Sequence, residues 1–256
     1  MAQARDMSPT ILNSLDVESR VHAEKVKEVA RFARGSQILD AGCGDGKVSS
    51  ALAGLGFRVI GVDRSIRQVQ LCRARAKMAG VSVDVCVASL TDLPFSNSSV
   101  ETVCCLDVLE HIIEFSSALR ELCRVTSVGG ALVLAVPGLS HYLVYDRLLL
   151  KVPVSKFLLQ KHTNEGPAEA GHSHVQTIVP GLISQRVREL GLQVDSTRNV
   201  AFLSTYLETI RHVFSALGYA QCWPLDKLID SDFKLAKHLP LALGSSWLIT
   251  SSKKLQ

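Results

Sequence analysis

The chain has 256 residues, of which 47% are hydrophobic and 20% charged, enough apolar content for one domain to bury a full core. The formal net charge of +4 is spread thinly, with no block of Lys and Arg longer than Lys253-Lys254, so the electrostatic footprint of a nucleic-acid binder is missing. The seven cysteines form no C-x-x-C pair and several sit inside apolar runs, which fits reduced core thiols in a reducing compartment better than disulfides or zinc.

The first thirty residues mix charged and apolar side chains and lack the apolar stretch of a signal peptide. Nowhere do about 18 uncharged apolar residues run together, so a soluble, cytoplasmic or at most membrane-peripheral protein is expected. Residues 17 to 34 set Val17, Val21, Val26, Val29, Ala30 and Ala33 on one face with Lys and Glu between them, the pattern of an amphipathic helix. Gln37 to Asp40 reads as a strand that enters a glycine-rich turn, Asp40-Ala41-Gly42-Cys43-Gly44-Asp45-Gly46, and Lys47 to Leu55 as a helix closed by Gly56. The beat repeats, with a strand over Phe57 to Asp63 and a helix capped by Ser65 and ended by Gly80. A third strand covers Val81 to Val87 and a fourth Val100 to Leu106. A helix over Ser116 to Val125 then leads through Gly129-Gly130 to a fifth strand, Ala131 to Val136. Strands alternating with helices at this spacing predict an α/β fold with a parallel sheet covered on both faces.

Beyond Pro137 the rhythm breaks. Helical stretches over Leu143 to Lys151 and Pro153 to Lys161 and a loop with Gly166, Pro167 and Gly171 fill some 40 residues, and insertions of that length usually carry function. A helix from Pro180 to Leu190, a strand over Leu192 to Ser196, a helical stretch over 201 to 240 and a last strand, Ser246 to Thr250, complete the chain. We expect one domain over 1–256, its core in 17–137 and 177–252, with helical insertions over 138–176 and 201–240.

In an open parallel sheet, ligands bind beyond the carboxyl ends of the strands, where the glycine-rich turn lies. Glycines 42, 44 and 46 let the backbone take positive φ and let a ligand approach with no Cβ in the way. Asp63 ends the second strand, where a carboxylate can accept both hydroxyls of a ribose. Adenosine binding is the shared requirement of these features, and an NAD-dependent oxidoreductase would meet it too. Against a dinucleotide stand Lys47 at the last glycine position of G-x-G-x-x-G and the acids Asp40 and Asp45, which would repel a pyrophosphate.

Further motifs narrow the reading. Ile38 to Gly46, Val59 to Asp63, Leu93-Pro94-Phe95, the run Val103 to His111 and Arg124-Val125 with Gly129 to Leu134 together resemble the class I S-adenosylmethionine (SAM)-dependent methyltransferases. The branch they are most similar to is that of the ubiquinone-biosynthesis O-methyltransferases, methyltransferase type 11. The resemblance covers about residues 20 to 200 and is dense over 36 to 137. It implies a Rossmann-like, seven-stranded, mostly parallel sheet with helices on both faces, its last strand antiparallel, and helical insertions after strands five and six. It further implies SAM as cofactor and S-adenosylhomocysteine (SAH) as product. On the same resemblance, Asp40 anchors the turn, Gly42 and Gly44 pass against the methionine portion, Asp63 holds the ribose, Leu90 flanks the adenine, and Cys43, Arg64, Ser89 and Asp107 are further cofactor-binding candidates. Ser89 replaces the family's usual adenine-binding acid, and Asp107 replaces the first acid of E-x-L-E-H. In some quinone O-methyltransferases that motif is thought to bind a divalent cation, which the resemblance maps as Mg2+ onto Asp107, Glu110 and His111.

The sulfonium methyl is already activated, so the protein mainly has to hold a nucleophile in line and exclude water. A hydroxyl acceptor gains from a general base, and His111 and His174 are the candidates, with a backbone-bonding or solvated role as the alternative for each. Cys104 and Cys105 read as core. The apolar runs Leu148-Leu149-Leu150 and Phe157-Leu158-Leu159, with Lys151, Lys156 and Lys161, read either as helices packed on the sheet edge or as a peripheral membrane contact or cap over an apolar acceptor. The expected partner is a small acceptor such as a prenylated ring, lipid or polyketide-like hydroxyl. A non-catalytic partner protein on the same fold is the remaining alternative.

Overall fold

The computed structural model describes residues 20–138, 178–201 and 246–254, with positions 228, 231, 232, 235 and 238. The insertion helices expected over 138–176 and nearly all of the stretch over 201–240 lie outside the described residues, as do His141, His172 and His174.

Seven strands form one sheet: β1 (Gln37–Ala41), β2 (Arg58–Asp63), β3 (Val83–Val87), β4 (Val100–Leu106), β5 (Thr126–Pro137), β6 (Leu192–Ala201) and β7 (Ser246–Lys253), in the order β3-β2-β1-β4-β5-β7-β6. The first five pair parallel, while β7 runs antiparallel to both β5 and β6, as expected for the last strand. Because successive strand residues point to opposite faces, Ile38, Cys104 and Val133 pack on one side, and Leu39, Val103, Cys105, Leu132 and Leu134 on the other. A sheet buried on both faces needs such continuous apolar runs, which places Cys104 and Cys105 in the core at 0% exposure.

Helices α1 (Arg20–Phe32) and α2 (Lys47–Gly54) cover the first face, and α4 (Phe115–Val125) and α5 (Pro180–Glu189) the second, with α3 (Ile66–Met78) packed along β2 and β3 beside α2. Ser65 caps α3 by accepting from the Gln68 amide, and Pro180 opens α5. The expected elements that fall within the described residues hold, with shifted ends. β3 starts at Val83 because the Val81 amide closes the end of α3 onto the Ala76 carbonyl. β5 begins at Thr126, five residues early, and its pairing with β4 is irregular there because Gly129 takes φ +77°. β6 and β7 outrun their apolar cores, since pairing with each other and with β5 sets their length.

The chain leaves β1 to one side toward β2 and β3, and joins β4 on the other. The carboxyl ends of β1 and β4 therefore part at a topological switch point, where a crevice opens.

Candidate functional site

The crevice is floored by the glycine-rich turn, and three glycines with positive φ shape it: 42 (+85°), 44 (+51°) and 46 (+83°). Two of them are required by close packing inside the protein. A Cβ on Gly42 would lie 2.5 Å from Val108 Cγ2, and one on Gly46 2.5 Å from Cys72 Sγ and 2.8 Å from its Cα. Gly44 differs: nothing lies within 4 Å of its Cβ position, so the turn offers bare backbone to open space there. The turn is hung on β2, whose Val62 carbonyl accepts from the Gly42 and Cys43 amides.

Asp63, at the end of β2, is held in place by the same turn. One carboxylate oxygen accepts from the Gly44 amide at 3.1 Å and the other from the Ser65 amide at 2.8 Å. Each oxygen retains a further acceptor direction. Asp40 behaves differently: it is 2% exposed, takes hydrogen bonds from Ser49 (2.5 Å) and the Cys104 thiol (3.7 Å), and burial raises its pKa to about 6. It ties β1 to α2. Cys43 turns its side chain inward, under the turn and toward Gly61, and a hydrogen bond donated to Cys72, with burial next, pushes its thiol pKa up, so only its backbone faces the crevice.

Arg64 is exposed just past β2, and Leu90 is buried at 5% exposure. Ser89 is exposed, and its hydroxyl shares a hydrogen bond with Thr91 while its carbonyl accepts from the Asp92 amide. The following Leu93-Pro94-Phe95 turn is clamped by α4. The Glu121 carboxylate accepts from the Leu93 amide, and Arg124 donates to the Leu93 and Phe95 carbonyls while pairing with Glu121. That pairing holds the Glu121 carboxyl below its ordinary range.

The far wall follows β4. Asp107 adopts φ +58°, a conformation that short polar side chains tolerate better than the Glu expected from the family pattern, and Lys25 from α1 ion-pairs with its carboxylate. Val108 fills the space above Gly42, and Leu109–His111 forms a single 3-10 turn. Glu110 in that turn is fully buried, and burial, with Asp107 next, raises its pKa to about 8. His111 is 26% exposed with Nε2 4.0 Å from Glu110 Oε1.

Two expectations change. The cation mapped onto Asp107, Glu110 and His111 finds no ligand set: among the described residues no three such side chains group to hold a metal, Asp107 is engaged by Lys25, and Glu110 is shut into the interior as an uncharged acid. Asp45 does not act as a free repelling charge either, because Arg75 of α3 donates to its carboxylate at 2.8 Å and Lys47 stands 3.8 Å away.

Lys25 and His22 were not legible as site residues. Burial, and then Lys25, lowers the His22 pKa to about 4, so it is neutral beside Asp107. The available signal was the position of Lys25, midway between Val21 and Val29 at i+4 spacing, a charge on the apolar stripe of an amphipathic helix. Only a partner across the fold makes that tolerable, and Lys25 is 3% exposed.

An open glycine turn at a switch point, with a ribose-competent carboxylate beside it, is the architecture of a Rossmann-like methyltransferase, and residues 39–134 match the methyltransferase domain family. That match and the curated relatives below support a SAM-dependent methyltransferase. Among curated relatives, the ubiquinone biosynthesis O-methyltransferase of Xanthomonas euvesicatoria pv. vesicatoria is 27% identical over 169 residues, 66% of this chain and 67% of that one. Its counterpart from Xanthomonas oryzae pv. oryzae is 33% identical over 102 residues, 40% of this chain and 43% of that one. The YcgJ protein of Bacillus subtilis shares the fold with a TM-score of 0.55 at 18% identity, covering 93% of this chain and 99% of that one. Among the described residues no helix is long and apolar enough to cross a membrane.

Proposed function

We propose that SAM binds along the glycine turn and that the chain transfers its methyl group to a hydroxyl of a small, apolar acceptor. The observation that carries the reading is the pairing of Gly44 with Asp63: one bare, left-handed glycine facing open space, its amide fixing a carboxylate that keeps acceptor capacity. In this reading Asp63 accepts the ribose hydroxyls, Gly42 and Gly44 pass the methionine portion, Leu90 and Ser89 border the adenine, and Arg64 flanks the ribose edge.

The bound cofactor supplies an electrophilic methyl on a sulfonium. The chain's part is to orient the acceptor oxygen in line with it, exclude water and take the hydroxyl proton. We assign the proton to His111, a partly exposed histidine on the turn that follows β4, one residue past the buried Glu110. His174 is a second proposed base from the sequence and lies outside the described residues. The O-methyltransferase names of the curated relatives support oxygen as the methylated atom.

Calorimetric titration with SAH and with NADH tests the cofactor half: SAH binding with no NADH binding is expected, and the reverse overturns the reading. Metabolite profiling of a deletion strain tests the acceptor half. Accumulation of an apolar hydroxyl compound lacking one methyl is expected, and loss of a methylated amine or carbon centre instead rejects O-methylation.

A further inference from the structure

The described cysteines are all free thiols, yet two of them meet: the Cys43 thiol donates a hydrogen bond to the Cys72 sulfur. The pair lies beneath the glycine turn. Cys43 belongs to the turn itself, with Sγ 3.0 Å from the Cβ position of Gly61 on β2, and Cys72 comes from the buried face of α3. The Gly46 amide closes the turn by donating to the Cys43 carbonyl at 2.9 Å, while Gly46 packs on Cys72 with no room for a Cβ. Cys104 and Cys105 differ, because as strand neighbours they point to opposite faces of the sheet. Cys72 is 0% exposed and Cys43 6%, and Cys43 Sγ lies 3.8 Å from the carbonyl oxygen of Gly44, the residue that faces open space. The unfilled turn therefore gives a small solute a way to Cys43. Methyl transfer itself needs neither sulfur.

We propose that Cys43 and Cys72 are an oxidisable pair that switches the cofactor turn: a hydroperoxide joins them as a disulfide, and the turn so held no longer receives SAM. The switching half rests on the cofactor placement above; the linking of the thiols does not. The hydrogen bond from Cys43 draws the Cys72 thiol below its ordinary pKa, against the opposing effect of burial, so the pair gives up one proton and keeps the other between its sulfurs. Passing that proton to Cys72 leaves the anion on Cys43, the end the oxidant reaches. The Cys43 thiolate attacks a peroxide oxygen, the O–O bond breaks, and the departing oxygen takes a solvent proton, leaving a sulfenic acid on Cys43. The Cys72 sulfur then attacks the Cys43 sulfur, the S–O bond breaks, and hydroxide leaves with the Cys72 proton as water. Two thiols and one hydroperoxide thus become one disulfide, one water and one alcohol or second water, with two electrons passing from sulfur to peroxide. An S–S bond is shorter than the hydrogen bond it replaces. Because Cys72 is packed on Gly46 and Cys43 against Gly61, the turn between them has to absorb the closure. In a compartment that keeps thiols reduced, disulfides of this kind are usually transient and redox-sensing.

The test exposes the full chain, reduced with dithiothreitol and then freed of it, to hydrogen peroxide with and without saturating SAH. Remaining thiols are alkylated, and the unreduced digest is read by mass spectrometry. We expect a linked Cys43–Cys72 peptide two hydrogens lighter than its parts, forming more slowly when SAH is bound. By calorimetry the oxidised protein should bind SAH roughly 10- to 100-fold more weakly, and dithiothreitol should restore the parent affinity. Cys72→Ser should form no link and keep its SAH affinity at the peroxide dose that converts the parent. Should that variant not fold, the linked peptide and the affinity of the oxidised parent decide by themselves. Absence of the link at every peroxide dose overturns the proposal, as does a linked protein that binds SAH as tightly as the reduced one, or a Cys72→Ser protein that loses as much affinity as the parent. A rate of linking indifferent to bound SAH rejects the route through the turn. Failure of the reduced chain to bind SAH is a different result: it removes the cofactor placement and the switching half, while the linked peptide still decides the thiol pair.

Discussion

Replacing Gly44 by Ala separates the cofactor reading from a purely structural account of the glycine turn. At Gly44 a Cβ meets no atom of the protein within 4 Å, so the folded state suffers only the backbone cost of an L residue at φ +51°, about 1–2 kcal/mol. For a domain of this size that corresponds to a fall in Tm of roughly 2–8 °C. If the methionine portion of the cofactor lies against that bare backbone, the added methyl is forced into an occupied space, which costs roughly 1–3 kcal/mol, a five- to 150-fold weaker dissociation constant. Gly46→Ala is the control. Its Cβ would strike the Cys72 backbone at 2.8 Å as well as the sulfur, so it should unfold the turn outright and lower Tm far more. Thermal melts and SAH calorimetry on the two variants decide the matter. A Gly44→Ala protein that melts a few degrees early yet binds SAH as tightly as the parent would refute the placement of the ligand.

Asp63→Ala removes the acceptor of the Gly44 and Ser65 amides together with the proposed ribose contact, and SAH affinity should fall by at least about 30-fold, with Asp63→Asn intermediate; equal affinity in Asp63→Ala rejects the ribose role. His111→Ala should leave SAH binding unchanged while kcat drops by about 10²–10⁴, and unchanged kcat removes His111 as base. Arg124→Ala frees the Leu93 and Phe95 carbonyls, and hydrogen exchange should show faster opening over residues 91–97; unchanged protection there would mean the clamp is dispensable. In the cofactor-free protein Glu110 has a folded pKa of about 8 against an ordinary 4.5, so its ionisation opposes folding progressively as pH rises between those values. Glu110→Gln should therefore gain stability over the parent by on the order of 3 kcal/mol at pH 7 relative to pH 4.5, measured by urea melts, and a constant difference between the two pH values contradicts the buried-acid account.

Local pattern carried much of this protein. Alternating apolar strands and capped helices gave the α/β class and the element order, because a sheet buried on both faces leaves continuous apolar runs and each helix announces its ends with residues such as Ser65, Gly80 and Pro180. The glycine turn and Asp63 were legible for a related reason: positive φ and a strand-ending acid are demands on single residues. What only the tertiary structure decided involves partners far apart in sequence. Asp40 and Asp63 are both acids at strand ends, and only the fold buries the first against Ser49 and leaves the second beside Gly44. Asp45 looked like a repelling charge until Arg75, thirty residues on, was seen to pair with it. The family resemblance offered Asp107, Glu110 and His111 as a candidate cation site, but the approach of α1 puts Lys25 on Asp107, and the packing of the 3-10 turn buries Glu110 and raises its pKa to about 8. A sequence states which groups can ionise. Whether each does so depends on burial and on the charges the fold brings to it.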